Sequence, residues 1–157
     1  MPRPVLQRWG RCLMLCQAGT ATMETGIWKA NQGRQKMKSK AVVSLTTGLE
    51  DPEKVTVAFL VAVGAAEQGR STLMFLTKEA VRLTVQGVAV GTAREGCPGL
   101  AELAKRFEAA GGSYLVCPIC LNAKQLDEAA LVSNATVGGT VPMWEWIGDE
   151  PATTFSY

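Results

Sequence analysis

Two cysteines three residues apart, Cys117 and Cys120, are the side chains of this sequence best suited to covalent chemistry. Residues 114–116, directly before them, have the apolar, β-prone pattern of the end of a buried strand. Pro118 has the preset φ and the missing N–H that suit the first position of a helix. Cys117 is therefore expected at a strand-to-helix junction, where the partial positive charge of the helix start favours a thiolate. Cys120, one turn later, is expected on the same helical face within reach of Cys117.

The composition excludes several classes of site. Histidine is absent, which removes the most common general base and metal ligand and rules out a Ser-His-Asp triad. Only Cys97 is expected near the Cys117/Cys120 pair, and three cysteines are too few ligands for a structural zinc or iron–sulfur site. No glycine-rich phosphate loop follows a predicted strand, since the glycine at 64 falls late in a helix. We therefore expect neither a metal nor a cofactor.

Cysteine usage and hydropathy predict the compartment. The five cysteines are an odd number, and their spacing does not resemble a secreted disulfide scaffold. No apolar run approaches the length of a membrane span. These features favour a reduced, cytoplasmic protein that does not enter a membrane.

Charge divides the chain into two parts. Residues 1–40 contain eight Lys/Arg and one acidic residue, whereas residues 41–157 contain eight Lys/Arg and thirteen acidic residues. The basic segment has weak structure signals, so residues 1–37 are expected to be a disordered or appended leader and residues 38–157 the folded domain. Nucleic-acid binding and a transit function remain less favoured alternatives for the leader.

Strands and helices alternate through the rest of the chain. This order predicts one three-layer α/β domain whose five-stranded sheet is mostly parallel, with helices on both faces. Strands are predicted at 41–45, 71–76, 114–116, 134–137 and 153–157, and further helices at 52–69, 78–83, 100–110 and 141–147. Ligands and reactive groups of such sheets gather at the carboxyl ends of the strands. Three places should meet there: residues 46–50, residues 77–78, and Cys117, which is expected after the central strand. Cys97 should lie on the same edge.

From Lys40 to Tyr157 the sequence resembles the DsrE/DsrF-like family, which includes sulfur-relay proteins of the TusD type. The matching stretches are DPEKV at 51–55, MFLTKEAV at 74–81, AAGG at 109–112, LVCP at 115–118 with Cys120, Leu121, Ala123 and Leu126 after it, and ATTFSY at 152–157. The resemblance implies a small flavodoxin-like α/β fold, homo-oligomers, and sulfur carried as a cysteine persulfide on Cys117. Pro118, Cys120 and Cys97 depart from the simplest relay subunits.

Three functions are consistent with these residues. The first is a sulfur-relay protein, a sulfurtransferase or persulfide carrier, that uses Cys117 and exchanges sulfur with donor and acceptor proteins. The second is a thiol–disulfide oxidoreductase in which Cys120 is the resolving thiol. The third is a non-catalytic oligomeric module, so whether the protein is an enzyme stays open. Trp144 and Trp146 lie on a helix too apolar to be left exposed, which predicts a homo-oligomer.

Overall fold

The computed structural model describes residues 39–89 and 98–157. The chain divides into two units, Met1–Lys36 and Met37–Tyr157, and all described residues belong to the second. The predicted leader, residues 1–37, and Cys97 lie outside the described residues, so the predictions made for them stay predictions.

Five parallel strands form a single sheet in the order β4-β3-β2-β1-β5. The strands are β1 (Lys40–Leu45), β2 (Ser71–Leu76), β3 (Ser113–Val116), β4 (Ala135–Val137) and β5 (Ala152–Ser156). The helices are α1 (Pro52–Glu67), α2 (Leu100–Ala109), α3 (Pro118–Ala123) and α4 (Thr140–Ile147), with 3-10 helices at Lys78–Thr84 and Glu128–Ala130. The predicted three-layer α/β fold is confirmed, and every strand pair is parallel. The sequence placed Cys117 after the central strand, which is wrong: β2 is central, and β3 is second from the edge.

Side chains that alternate along β2 and β3 divide the core between the two faces of the sheet. Met74, Leu76 and Tyr114 face the side on which α1 and α2 pack together. Leu73, Phe75 and Leu115 face the opposite side, where they contact Met143 and Trp146 of α4. Side chains at the ends of these strands therefore have different surroundings on the two faces of the sheet.

Helix α1 begins where the sequence predicts. The side chain of Asp51 accepts a hydrogen bond from the Lys54 N–H at 3.1 Å, and Pro52 is the first helical residue. Glu53 places a negative charge in the first turn, which suits the positive end of the helix dipole. The residues around Asp51 therefore determine where α1 begins and where the loop after β1 ends, at the carboxyl edge of the sheet.

A close approach between α2 and β3 requires glycine at position 112. A Cβ atom there would lie 2.2 Å from Cε2 of Phe107, a fully buried ring. Phe107 also packs against Tyr114, with ring centroids 5.1 Å apart. Burial raises the pKa of Tyr114, so its phenol is a neutral part of the core. These contacts fix the position of β3 directly before Cys117.

No helix in the described parts of the chain is long and apolar enough to cross a membrane.

Candidate functional site

The carboxyl ends of neighbouring strands form one edge, and backbone hydrogen bonds continue across it. The N–H of Thr77 donates to the carbonyl of Leu45 at 3.0 Å, and the N–H of Cys117 donates to the carbonyl of Leu76 at 3.0 Å. The N–H of Gly138 donates in the same way to Val116, at 2.9 Å. The loops after β1, β2 and β3 therefore lie side by side, as the sequence predicted.

Cys117 is a free, half-buried cysteine at the start of α3. Its backbone is extended, with φ −63° and ψ 118°, and Pro118 is the first helical residue, as predicted. The side chain makes no capping hydrogen bond to the helix. Because Cys117 continues the alternation of β3, it packs against the cluster of Leu73, Phe75 and Leu115, on the face of the sheet that α4 covers.

Cys120 is also free and half-buried, but its surroundings differ. It packs against a cluster on the other face of the sheet, formed by Val81, Val116, Leu121 and Leu131. The expectation that the two thiols share one face is wrong. Cys117 still follows the two-residue period of the strand, whereas Cys120 follows the helix, and this change of period separates the side chains.

The sulfur of Cys120 accepts a hydrogen bond from the backbone N–H of Lys78, with N and Sγ 3.1 Å apart. Lys78 directly follows Thr77 at the end of β2 and has a positive φ of 51°. Non-glycine residues seldom adopt this left-handed conformation, which costs roughly 1–2 kcal/mol. The sequence did not predict this contact, because it joins residues 42 positions apart.

Glu79 joins the same two elements through its side chain. One carboxylate oxygen accepts from Nζ of Lys124, which follows α3, and the other accepts from Nε of Arg82 at 3.1 Å. These two partners, Lys124 first, lower the pKa of Glu79. Sequence reasoning missed Glu79, although its spacing of three residues from Arg82 on a predicted helix was a usable signal.

An open pocket of about 260 Å³ lies at this edge. Its walls are mostly aliphatic. They come from the loop after β1, the first 3-10 helix, residues 85–88 directly after that helix, and the segment after α3. The lining residues are Leu49, Glu50, Glu79, Arg82, Val85, Val88 and Leu126. The pocket shares Glu79 with the ion pairs beside Cys120.

Within residues 39–89 and 98–157, no three His, Cys, Asp or Glu side chains are grouped so that they could hold a metal ion. The described residues thus offer two thiols and an ion-pair cluster for chemistry. Of the three predicted site cysteines, Cys117 and Cys120 lie at the carboxyl edge, and Cys97 is outside the described residues.

Solved structures with the same fold are found, although sequence comparisons find nothing. No protein-family model matches the chain, and no curated protein matches it. YchN from E. coli, which has a DsrE-like fold, superposes with a TM-score of 0.63 and 16% identity, over 76% of this chain and 99% of YchN. MTH1491 from Methanobacterium thermoautotrophicum, a protein of unknown function, has a TM-score of 0.53 and 10% identity, over 76% of this chain and 99% of its own. This chain therefore has the α/β three-layer fold of YchN and other DsrE-like structures.

Proposed function

We propose that this protein carries sulfur as a persulfide on Cys117 and passes it between the thiols of donor and acceptor proteins. One observation supports the proposal most directly: a free cysteine lies at the carboxyl edge of a parallel sheet in a DsrE-like fold. This edge is where α/β sheets present reactive groups.

The loading step is a thiol exchange on sulfane sulfur. The Cys117 thiolate attacks the terminal sulfur of a donor persulfide, R–S–SH. A bond forms between Sγ of Cys117 and that sulfur, the donor S–S bond breaks, and its electron pair leaves with the donor thiolate, R–S⁻. The product is Cys117–S–SH, and unloading repeats the step with an acceptor thiolate. No cofactor, oxidant or reductant takes part.

The surroundings of Cys117 suit a group that must survive between two partners. Its side chain packs against the apolar cluster of Leu73, Phe75 and Leu115, which shields one side from water and dissolved thiols. The residue is nevertheless half-exposed, so a partner thiol can approach from the solvent side.

Mass spectrometry of the intact chain tests the proposal. After incubation with glutathione persulfide and removal of excess reagent, we expect a gain of one sulfur atom, about 32 Da, mapped to Cys117. Cys117→Ser should abolish the gain, because a hydroxyl is a poor nucleophile and cannot hold a transferable sulfur. Cys120→Ser is the matched control and should still load. Loading of Cys117→Ser but not of Cys120→Ser would contradict the assignment.

The same experiment separates the two alternative functions. A 117–120 disulfide with no stable sulfur gain would indicate a thiol–disulfide oxidoreductase, and no change at either cysteine would indicate a non-catalytic module. The dithiol function requires the two side chains to leave the separate clusters in which they pack.

We also propose that the protein is a homo-oligomer that acts in the cytoplasm. Val141 and Trp144 on α4 are 66% and 65% exposed, whereas Trp146 on the same helix is half-buried against the sheet. Exposed apolar groups of this size favour burial in a subunit interface. Light scattering should show an assembly larger than one chain that Trp144→Ala weakens. A monomer at micromolar concentration would contradict the proposal.

A further inference from the structure

The turn after β2 uses its backbone N–H groups in an unusual way. The N–H of Thr77 continues the sheet by donating to Leu45, and the N–H of Ala80 donates to the carbonyl of Thr77. Between them, the N–H of Lys78 turns sideways and donates to the sulfur of Cys120. A thiol side chain 42 positions later thus supplies the partner of this N–H.

The left-handed backbone of Lys78 is part of this geometry. With φ at 51°, Lys78 has the conformation that glycine tolerates and that β-branched residues avoid. The neighbouring residue Glu79 reaches Lys124, one turn after Cys120, so a second contact joins the same turn to α3. The turn and α3 are thus tied together on the face of the sheet opposite to Cys117.

We propose that Lys78 is a positioning residue: its backbone N–H holds the Cys120 sulfur away from Cys117 and so protects a persulfide on Cys117 from its neighbouring thiol. This inference rests on the proposed function, since it names what preserves the carried sulfur. Spacing alone would make Cys120 a resolving thiol, whereas the hydrogen bond keeps it in a different cluster.

The reaction that the hydrogen bond prevents is an internal thiol exchange. The Cys120 thiolate would attack Sγ of the Cys117 persulfide and form a Cys117–Cys120 disulfide. The bond between Sγ and the terminal sulfur would break, and its electron pair would leave with hydrosulfide, HS⁻. One disulfide and one hydrosulfide would therefore appear for each persulfide lost.

Substitutions at Lys78 test the role of its backbone. Lys78→Gly and Lys78→Val both remove the ammonium group, but glycine accepts the left-handed conformation and valine resists it. The full-length variants are loaded with glutathione persulfide and freed of excess reagent. The +32 Da species, the disulfide and released sulfide are then followed in time. Lys78→Thr, which is also β-branched, replaces valine if circular dichroism shows that Lys78→Val is unfolded.

We expect the persulfide of the wild type, of Lys78→Gly and of Cys120→Ser to decay at rates within twofold of one another. Lys78→Val should lose it at least threefold faster, with disulfide and sulfide released in equal amounts. Adding Cys120→Ser to Lys78→Val should restore the slow decay. Equal rates in Lys78→Val and Lys78→Gly, or fast loss in the double variant, would overturn the inference.

A second measurement does not depend on persulfide loading. Diamide takes two electrons and two protons from a dithiol, so it reports directly how readily Cys117 and Cys120 meet. We expect it to form the 117–120 disulfide at least threefold faster in Lys78→Val than in Lys78→Gly. If no variant loads sulfur but this difference appears, the proposed function fails and the positioning role stands; equal oxidation rates would refute the positioning role.

Discussion

Replacing Lys40 by methionine should loosen α4 from the sheet. Nζ of Lys40 donates to the carbonyls of Trp146 and Ile147, at 2.6 and 3.1 Å, where α4 ends. The ammonium group also lies 5.2 Å from the ring centroid of Trp146 and 3.5 Å from Glu150. Lys40 therefore ties the start of β1 to the last turn of α4.

The expected loss of stability follows from these contacts. Hydrogen bonds from a charged donor contribute about 1.5–3 kcal/mol, and a cation at a helix C-terminus adds about 0.3–1 kcal/mol. The Lys40 side chain is only 18% exposed, whereas Glu150 is 53% exposed, so the ion pair adds little. Because water can solvate the freed carbonyls in part, we expect Lys40→Met to lower the free energy of unfolding by about 2 kcal/mol.

Urea denaturation measures this change, with a midpoint lower by about 1 M at a typical slope of about 2 kcal/mol/M. Lys105→Met, at an exposed position on α2, is the matched control and should change the midpoint little. A loss below about 0.5 kcal/mol, or a loss as large in Lys105→Met, would refute the reasoning.

Three further predictions concern other parts of the chain. Gly112→Ala should destabilise the fold by about 2–3 kcal/mol in urea denaturation, because its Cβ would overlap the buried Phe107 ring; an unchanged midpoint would contradict this packing. The ion pairs lower the pKa of Glu79 in the folded protein. Its carboxylate therefore contributes fully to stability above pH 4.5, its ordinary pKa, and this contribution is lost as the pH falls through the lowered pKa. Wild-type stability should thus fall more steeply in acid than that of Glu79→Gln, and parallel pH curves would show that the Lys124 contact is not maintained. Deleting residues 1–36 should leave the melting temperature nearly unchanged, as their composition predicts, whereas a large drop would show that they support the domain.

Much of the fold could be predicted because its signals are local. Asp51 followed by Pro52 marks the start of α1, and the apolar run before Cys117 followed by Pro118 marks a strand-to-helix junction; the structure has both. Each of these signals acts over four residues or fewer. Parallel connectivity then brings the loops after β1, β2 and β3 to one edge, since successive strands with intervening helices run in the same direction.

The sequence by itself thus determined the elements, the parallel sheet and the placement of Cys117 at its carboxyl edge. The tertiary structure decided the rest: the order of the strands, the separation of Cys120 from Cys117, and the contacts of Cys120 and Lys124 with the turn at Lys78 and Glu79. Strand order depends on which faces pack best across the whole core, and the hydrogen bond to Cys120 joins residues 42 positions apart. No local pattern reports such contacts, because their free energy arises only when distant segments meet.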